Sequence, residues 1–165
     1  MARFKPLPHQ LPRNVGVGIY GLILGSSIIA GASAEHPGRP GIVEIYLCVT
    51  AVVFFLAHVY ARVIGRWIEG EAPRAATVRE ELRGEWPMVS VQLLPALLLL
   101  LGALGVLKGE TAVTLALAVA FGELFIGVGY ACRRADAAPR QAAALLVVAM
   151  LFAGAIIGLK ILVHG

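Results

Sequence analysis

The chain has 165 residues, of which 59% are hydrophobic and 15% are charged, and its formal net charge is +4. Its mean hydropathy is +0.83. A soluble domain of this length needs more polar surface than this composition supplies, so the chain is predicted to be a membrane protein. The basic residues lie in the gaps between apolar runs, which argues against nucleic acid as a partner.

Five apolar runs are each long enough to cross a bilayer, because about 20 residues rising about 1.5 Å each span a hydrocarbon core of about 30 Å. The predicted spans are 15–34, 42–61, 88–107, 111–131 and 141–163. Only "KGE" separates the third run from the fourth, which predicts an antiparallel helical hairpin. The predicted fold is one all-α domain, 1–165, built as a bundle of five transmembrane helices.

The first apolar run permits a second interpretation. A basic start, an apolar run and the small residues Ala32, Ser33 and Ala34 also fit a secretory signal with its cleavage site. The apolar core of a signal is usually about 7 to 15 residues long, and this run is longer. We therefore interpret it as a membrane span and keep the cleaved signal as the alternative.

The distribution of Lys and Arg predicts the orientation of the bundle. Eleven of the 14 basic residues fall in the N-terminal tail or in the gaps after spans two and four, and three fall on the opposite side. Cytoplasmic loops are rich in Lys and Arg, so the N-terminus is predicted to be cytoplasmic and the C-terminus outside. The expected location is the plasma (inner) membrane, as a multi-pass protein.

The gap after span two, residues 66–87, is predicted to be a cytoplasmic amphipathic connector. Thr77 is a candidate N-cap with Glu80 at the capping-box spacing, and Gly84 and Pro87 are expected to end the helix. Alternating Arg and Glu residues favour a position on the anionic inner leaflet.

Four polar residues inside the spans are predicted to share one depth. Counting the helix rise from the span ends places Tyr20, His58, Gln92 and Glu123 in one layer of the inner half of the membrane. Glu123 is the most informative of them, because a carboxylate at this depth is unfavourable unless it is neutral, paired or hydrated. The layer is either a proton or cation pathway in which Glu123 and His58 exchange a proton, or a hydrogen-bonded cluster that fixes helix register.

Charged residues near the helix ends are assigned structural roles. Glu44 and Lys160 lie at nearly the same predicted height near the outer face, which predicts an ion pair between spans two and five. Arg62 and Arg66 are interpreted as arginines that extend from the end of span two toward the membrane surface. No set of His, Cys, Asp or Glu has metal-ligand spacing, so neither a metal nor another cofactor is expected.

Glycine spacing and one proline predict how the helices pack. Gly21 and Gly25 in span one, and the "GAIIG" of span five, match the small-xxx-small pattern that lets helices approach closely. Pro95 is expected to kink span three and to free the carbonyl group of Val91 from its helical hydrogen bond.

Signatures of intramembrane catalysis are missing from the sequence. There is no Gly-x-Ser-x-Gly, no His-Glu-x-x-His and no Gly-rich phosphate loop. The "EELR" of Glu80–Arg83 has the paired glutamates of the Glu-Glu-x-x-x-Arg motif of intramembrane CAAX-type proteases, but its arginine comes two residues early. No catalytic residue is assigned, and the protein is predicted not to be an enzyme.

The segments "FFLAHVYARVIGRW", "GEWPMVSVQLLPALLLLLGALGVLKGETAVTLALAVA" and "LKILVH" resemble small integral membrane proteins of high-GC actinobacteria. The resemblance covers most of the chain and implies the multi-pass topology. It implies no activity and no catalytic residue.

Two functions remain open. The first is a small, oligomeric proton or cation channel or transporter with Glu123 and His58 in its pathway. The second is a non-catalytic accessory or interaction subunit of a larger membrane complex, and a lipid-modifying enzyme is a distant third. The expected partners are the lipid bilayer and either further copies of the chain or a partner membrane subunit.

Overall fold

The computed structural model describes residues 13–72 and 74–164, and for residues 13, 14, 157 and 159–164 it describes only the backbone. Every regular element in this part of the chain is an α-helix, which confirms the predicted all-α class. The six helices are α1 (Arg13–Glu35), α2 (Pro40–Ile68), α3 (Ala75–Ser90), α4 (Leu93–Ala103), α5 (Gly109–Arg134) and α6 (Pro139–His164).

Four of these helices, α1, α2, α5 and α6, are long and apolar enough to cross a membrane. The pair formed by α3 and α4 is a fifth candidate if its two parts, which meet at 50°, are taken as one bent span. The described residues therefore contain four or five candidate spans, as a multi-pass membrane protein requires. The predicted third span corresponds to the bent pair and not to one straight helix.

The helix predicted for the connector at 66–87 begins earlier than expected. α2 continues to Ile68, and α3 begins at Ala75 with Arg74 as its N-cap. Arg74 makes no capping hydrogen bond through its side chain. The prediction of Thr77 as the N-cap was therefore wrong.

The predicted end of that helix was also wrong. α3 runs through Gly84 and Pro87 and ends at Ser90. It packs against α1 and α2 and buries Glu85 and Met88 on that side. This tertiary packing outweighs the local preference of glycine and proline to end a helix. α3 is therefore a packed part of the bundle and not a helix that lies separately on the membrane surface.

The bend between α3 and α4 lies at Val91 and Gln92. Pro95, four residues after Val91, lacks the N–H group that would bond to the Val91 carbonyl oxygen. Regular bonding resumes one residue later, where the Ala96 N–H donates to the Gln92 carbonyl oxygen at 2.9 Å. The kink predicted from Pro95 is confirmed, and it lies one turn before the proline.

The helices enclose two clusters of buried apolar side chains. Ile29, Leu47 and Leu99 belong to the first cluster, which joins α1 and α2 to α4, α5 and α6. Leu22 and Leu124 belong to the second, which joins α1 to α5 and α6. α1 packs against α2, α3, α5 and α6 and contributes to both clusters.

One end of the bundle is rich in arginine. α1, α3 and α6 begin at this end, and α2 and α5 end there. The arginines of these termini whose side chains are described are Arg62, Arg66, Arg74, Arg79, Arg83, Arg133, Arg134 and Arg140. It is called the arginine-rich end below.

α1 closely approaches α3 at Gly21 and the bend after α3 at Gly25, as the spacing of the two glycines predicts. A Cβ atom on Gly21 would lie 2.5 Å from the Met88 carbonyl oxygen, and one on Gly25 would lie 3.0 Å from Gln92 Oε1. At Gly154 and Gly158 of α6 no described atom beyond the local backbone of that helix lies within 4 Å of that position. The glycines of α1 therefore form a close helix contact, whereas those of α6 face open space within the chain.

Gly21→Ala is expected to destabilise the protein by about 1–3 kcal/mol, because the added methyl group meets the α3 backbone. Gly31→Ala is the matched control, since Gly31 lies in the same helix and an added Cβ would have no atom within 4 Å. It should be neutral or slightly stabilising, because alanine favours a helix over glycine by about 1 kcal/mol. Thermal unfolding in detergent compares the two variants, and equal melting temperatures would contradict the close contact.

Candidate functional site

A groove of about 360 Å³ opens on the side of the bundle between α1, α3 and α5. Its walls are apolar except for Glu123 and Tyr130, both on α5. Gly18 of α1 and Gly127 of α5 also line this groove. It is called the Glu123 groove below.

The Glu123 groove extends from the arginine-rich end toward the middle of the bundle. Val15, near the start of α1, and Tyr130, near the end of α5, line its outer part. Glu123 lies seven residues before Tyr130, which is about 10 Å along a helix that rises about 1.5 Å per residue. The groove therefore connects the carboxyl group to one end of the bundle.

The Glu123 side chain is half-buried, and its Oε2 atom is fully buried without a hydrogen-bond partner. No ion pair reaches this carboxyl group from any residue that the structure describes. A buried polar atom without a partner lowers the stability of the fold, and such atoms in native proteins call for a specific explanation. A role in binding a proton or a cation is such an explanation.

His58 of α2 lies against Tyr20 of α1, with 5.2 Å between the ring centroids. The His58 Nδ1 atom is 2.9 Å from the Phe54 carbonyl oxygen. A carbonyl oxygen can only accept, so Nδ1 carries the proton and donates it to this bond. Nε2 is then the nitrogen that can take up a further proton.

His58 and Glu123 are on different sides of α1. At about 100° per residue, Tyr20 is roughly 160° around α1 from Gly18 and Leu22, which line the Glu123 groove. No hydrogen bond or ion pair among the described side chains joins His58 to Glu123. The predicted direct proton exchange between them therefore has no contact to support it, because a shared depth does not place two residues on one side of the helix between them.

Gln92 fastens α1 to the bend between α3 and α4. Its Nε2 atom donates to the carbonyl oxygens of Gly21 and Met88, each at 3.2 Å. Gln92 also faces a space in the middle of the bundle, beside Ser26 and Ala120, that has no volume for a water molecule. Gln92 therefore connects α1 to this bend, and the space beside its side chain is too small for water.

A set of ion pairs joins α2 to α3 and involves glutamates that were not predicted as a site. Arg62 Nε lies 3.4 Å from Glu85 Oε1, and Arg66 Nε lies 2.9 Å from Glu81 Oε1. Arg66 Nη1 also lies 2.9 Å from Glu80 Oε2. Glu81 and Glu85 are only 1% exposed. Both arginines therefore join α2 to α3, a contact that the interpretation as arginines extending toward the membrane surface did not include.

The sequence contains a signal for these pairs. Arg62 and Arg66 are four residues apart, as are Glu81 and Glu85, so each pair occupies one face of its helix. When the two helices run antiparallel, Arg62 meets Glu85 and Arg66 meets Glu81. We expected residues 66–87 to lie on the membrane surface, so we did not predict that these two faces meet.

The predicted ion pair between Glu44 and Lys160 falls outside the described side chains, because that of Lys160 is not described. Glu44 itself is half-buried on α2. Within residues 13–72 and 74–164, no group of three or more His, Cys, Asp or Glu side chains has the arrangement of a metal site.

No protein-family model matches this chain, and no curated protein or solved structure is significantly similar to it. The geometry of the Glu123 groove is therefore the basis for assigning a function.

Proposed function

We propose that the protein is a proton or small-cation transporter of the plasma (inner) membrane, with Glu123 as its ion-binding group. In this proposal α3 and α4 together form the third of five spans. The arginine-rich end faces the cytoplasm, as the distribution of basic residues favours. The N-terminus is then cytoplasmic, the C-terminus is outside, and the Glu123 groove opens toward the cytoplasm.

The observation that carries the proposal is the buried, unpartnered Oε2 atom of Glu123 beside an open groove. Insertion of an acidic residue at the centre of a membrane helix costs about 2.5–3.5 kcal/mol on translocon-based scales. Among the described residues that line the groove, only Glu123 is charged. An entering proton or cation therefore meets one charged group, and binding neutralises it.

The path beyond Glu123 is closed in this conformation. Ala120 and Ala116 are buried. They lie about one and two turns from Glu123 toward the start of α5. The neighbouring space beside Gln92 has no volume for water. An ion site open to one side is one state of an alternating-access cycle. Release to the other side then requires a second conformation, or an adjoining copy of the chain in a homo-oligomer.

Flux measurements on purified protein in liposomes test this proposal. Gradients of H⁺, Na⁺ and K⁺ are applied singly, and the internal ion concentration is followed with an ion-sensitive dye. Flux of at least one ion above that of protein-free liposomes is expected. No flux under any of the three gradients, from protein with an intact melting transition, would overturn the proposal.

A second candidate function is a non-catalytic accessory subunit of a larger membrane complex. The open space at Gly154 and Gly158 of α6 favours it, because a face of small residues permits close approach of another helix. Mild-detergent purification from native membranes tests this candidate. A stoichiometric complex with another membrane protein, together with absence of flux from the isolated chain, would replace the transporter proposal with this one.

A further inference from the structure

A second groove, of about 370 Å³, lies between α2 and α3. It is lined by Phe55 of α2 and by Arg79, Leu82, Arg83 and Trp86 of α3. The four α3 residues share one helix face, because they are three, four and seven positions apart. The space is called the arginine groove below, and it shares no lining residue with the Glu123 groove.

The arginine groove is basic on one side and apolar on the other. Arg79 and Arg83 are exposed and lie closer to the start of α3, at the arginine-rich end. Phe55 and Trp86 form an edge-to-face pair, with 6.3 Å between the ring centroids. Trp86 is nevertheless 55% exposed, so its ring presents apolar surface to a ligand.

The two guanidinium groups of the groove lack a counter-charge among the residues that the structure describes. Neither Arg79 nor Arg83 has an ion-pair partner among the described residues. The glutamates of α3 instead meet Arg62 and Arg66, on the side of the helix that faces α2. Like charges four residues apart repel each other on a helix, so an anion between Arg79 and Arg83 would stabilise this face.

We propose that the arginine groove binds one anionic phospholipid. Guanidinium groups donate paired hydrogen bonds to phosphate oxygens, so the phosphodiester lies between Arg79 and Arg83. The acyl chains lie against Phe55, Leu82 and Trp86, where they cover exposed apolar surface. Inorganic phosphate matches only the basic side and a neutral lipid only the apolar side, whereas an anionic phospholipid matches both.

Native mass spectrometry of the full-length protein in neutral detergent tests the proposal. The probes are phosphatidylglycerol, phosphatidylcholine and inorganic phosphate, each added separately. We expect one phosphatidylglycerol per chain to be retained in preference to phosphatidylcholine. The double variant Arg79→Gln/Arg83→Gln should weaken this binding about tenfold or more, because both phosphate contacts are removed.

The matched control is Arg133→Gln/Arg140→Gln, which removes the same charge from two exposed arginines outside both grooves. It should retain the lipid as the wild type does, and the melting temperatures of both double variants establish that they are folded. Equal retention of the two lipids, or equal weakening in both double variants, would overturn the proposal. Displacement of phosphatidylglycerol by millimolar inorganic phosphate would also overturn it, because the site would then recognise phosphate alone.

Discussion

Replacing Glu123 with glutamine is expected to reduce ion flux to the level of protein-free liposomes while the protein remains folded. The amide has nearly the shape of the carboxyl group, but it neither takes up a proton at neutral pH nor binds a cation by charge. Glu123→Asp keeps the charge about one methylene away, so it should retain part of the flux. Both variants are measured under the gradient that drives flux in the wild type.

Two controls separate an ion-binding role of Glu123 from a structural one. Glu110→Gln makes the same substitution at an exposed residue in the first turn of α5 and should leave flux unchanged. Glu123→Leu should abolish flux but raise stability by about 1–3 kcal/mol, because it removes a buried polar atom that lacks a partner. A melting temperature lowered by both Glu123→Gln and Glu123→Leu would instead identify Glu123 as a structural anchor.

The sequence predicted the helices that depend mainly on hydrophobicity. The runs at 15–34, 111–131 and 141–163 coincide with α1, α5 and α6 to within a few residues, and 42–61 lies within α2. Apolar length determines such helices, and it can be read directly from the chain. The boundaries of α3 could not be read in this way. They depend on packing against α1 and α2 and on pairing with arginines about 15 to 25 positions earlier.

The sequence singled out Glu123, but it did not predict the direction in which the Glu123 side chain faces. Counting residues from the span ends singled out Glu123 as a carboxylate deep in the membrane. How far each helix is rotated about its own axis is set by its neighbours, and one sequence contains little information about that rotation. Glu123 was therefore expected beside His58, although it faces a groove lined by α1, α3 and α5. The close contact at Gly21 was predictable because glycine spacing reports directly on how near two helices can come.

Reversing the charge at Arg66 is expected to cause a large loss of stability. Arg66 contacts Glu81 and Glu80 at 2.9 Å and Glu71 at 3.6 Å, so it is the centre of the ion pairs between α2 and α3. Arg66→Glu would place a carboxylate against Glu81, which is only 1% exposed and cannot turn to water. Glu81 would then face a like charge in place of its Arg66 partner, so repulsion replaces attraction at this buried carboxylate. Thermal unfolding in detergent should show a strongly lowered melting temperature.

A matched reversal and a charge swap decide whether this loss reflects the pair itself. Arg133→Glu makes the same change at an exposed arginine that, like Arg66, lies in the last turn of its helix, so it should lower the stability only by the helix-end contribution of about 1 kcal/mol. In the double variant Arg66→Glu/Glu81→Arg, an opposite pair again connects the two helices, so part of the lost stability should return. If the double variant recovers no stability, the loss in Arg66→Glu is due to the changed shape of the side chain at position 66 and not to the broken ion pair. With recovery, the ion pairs hold α3 against α2, and thereby position Pro87 and Val91 in the wall of the Glu123 groove.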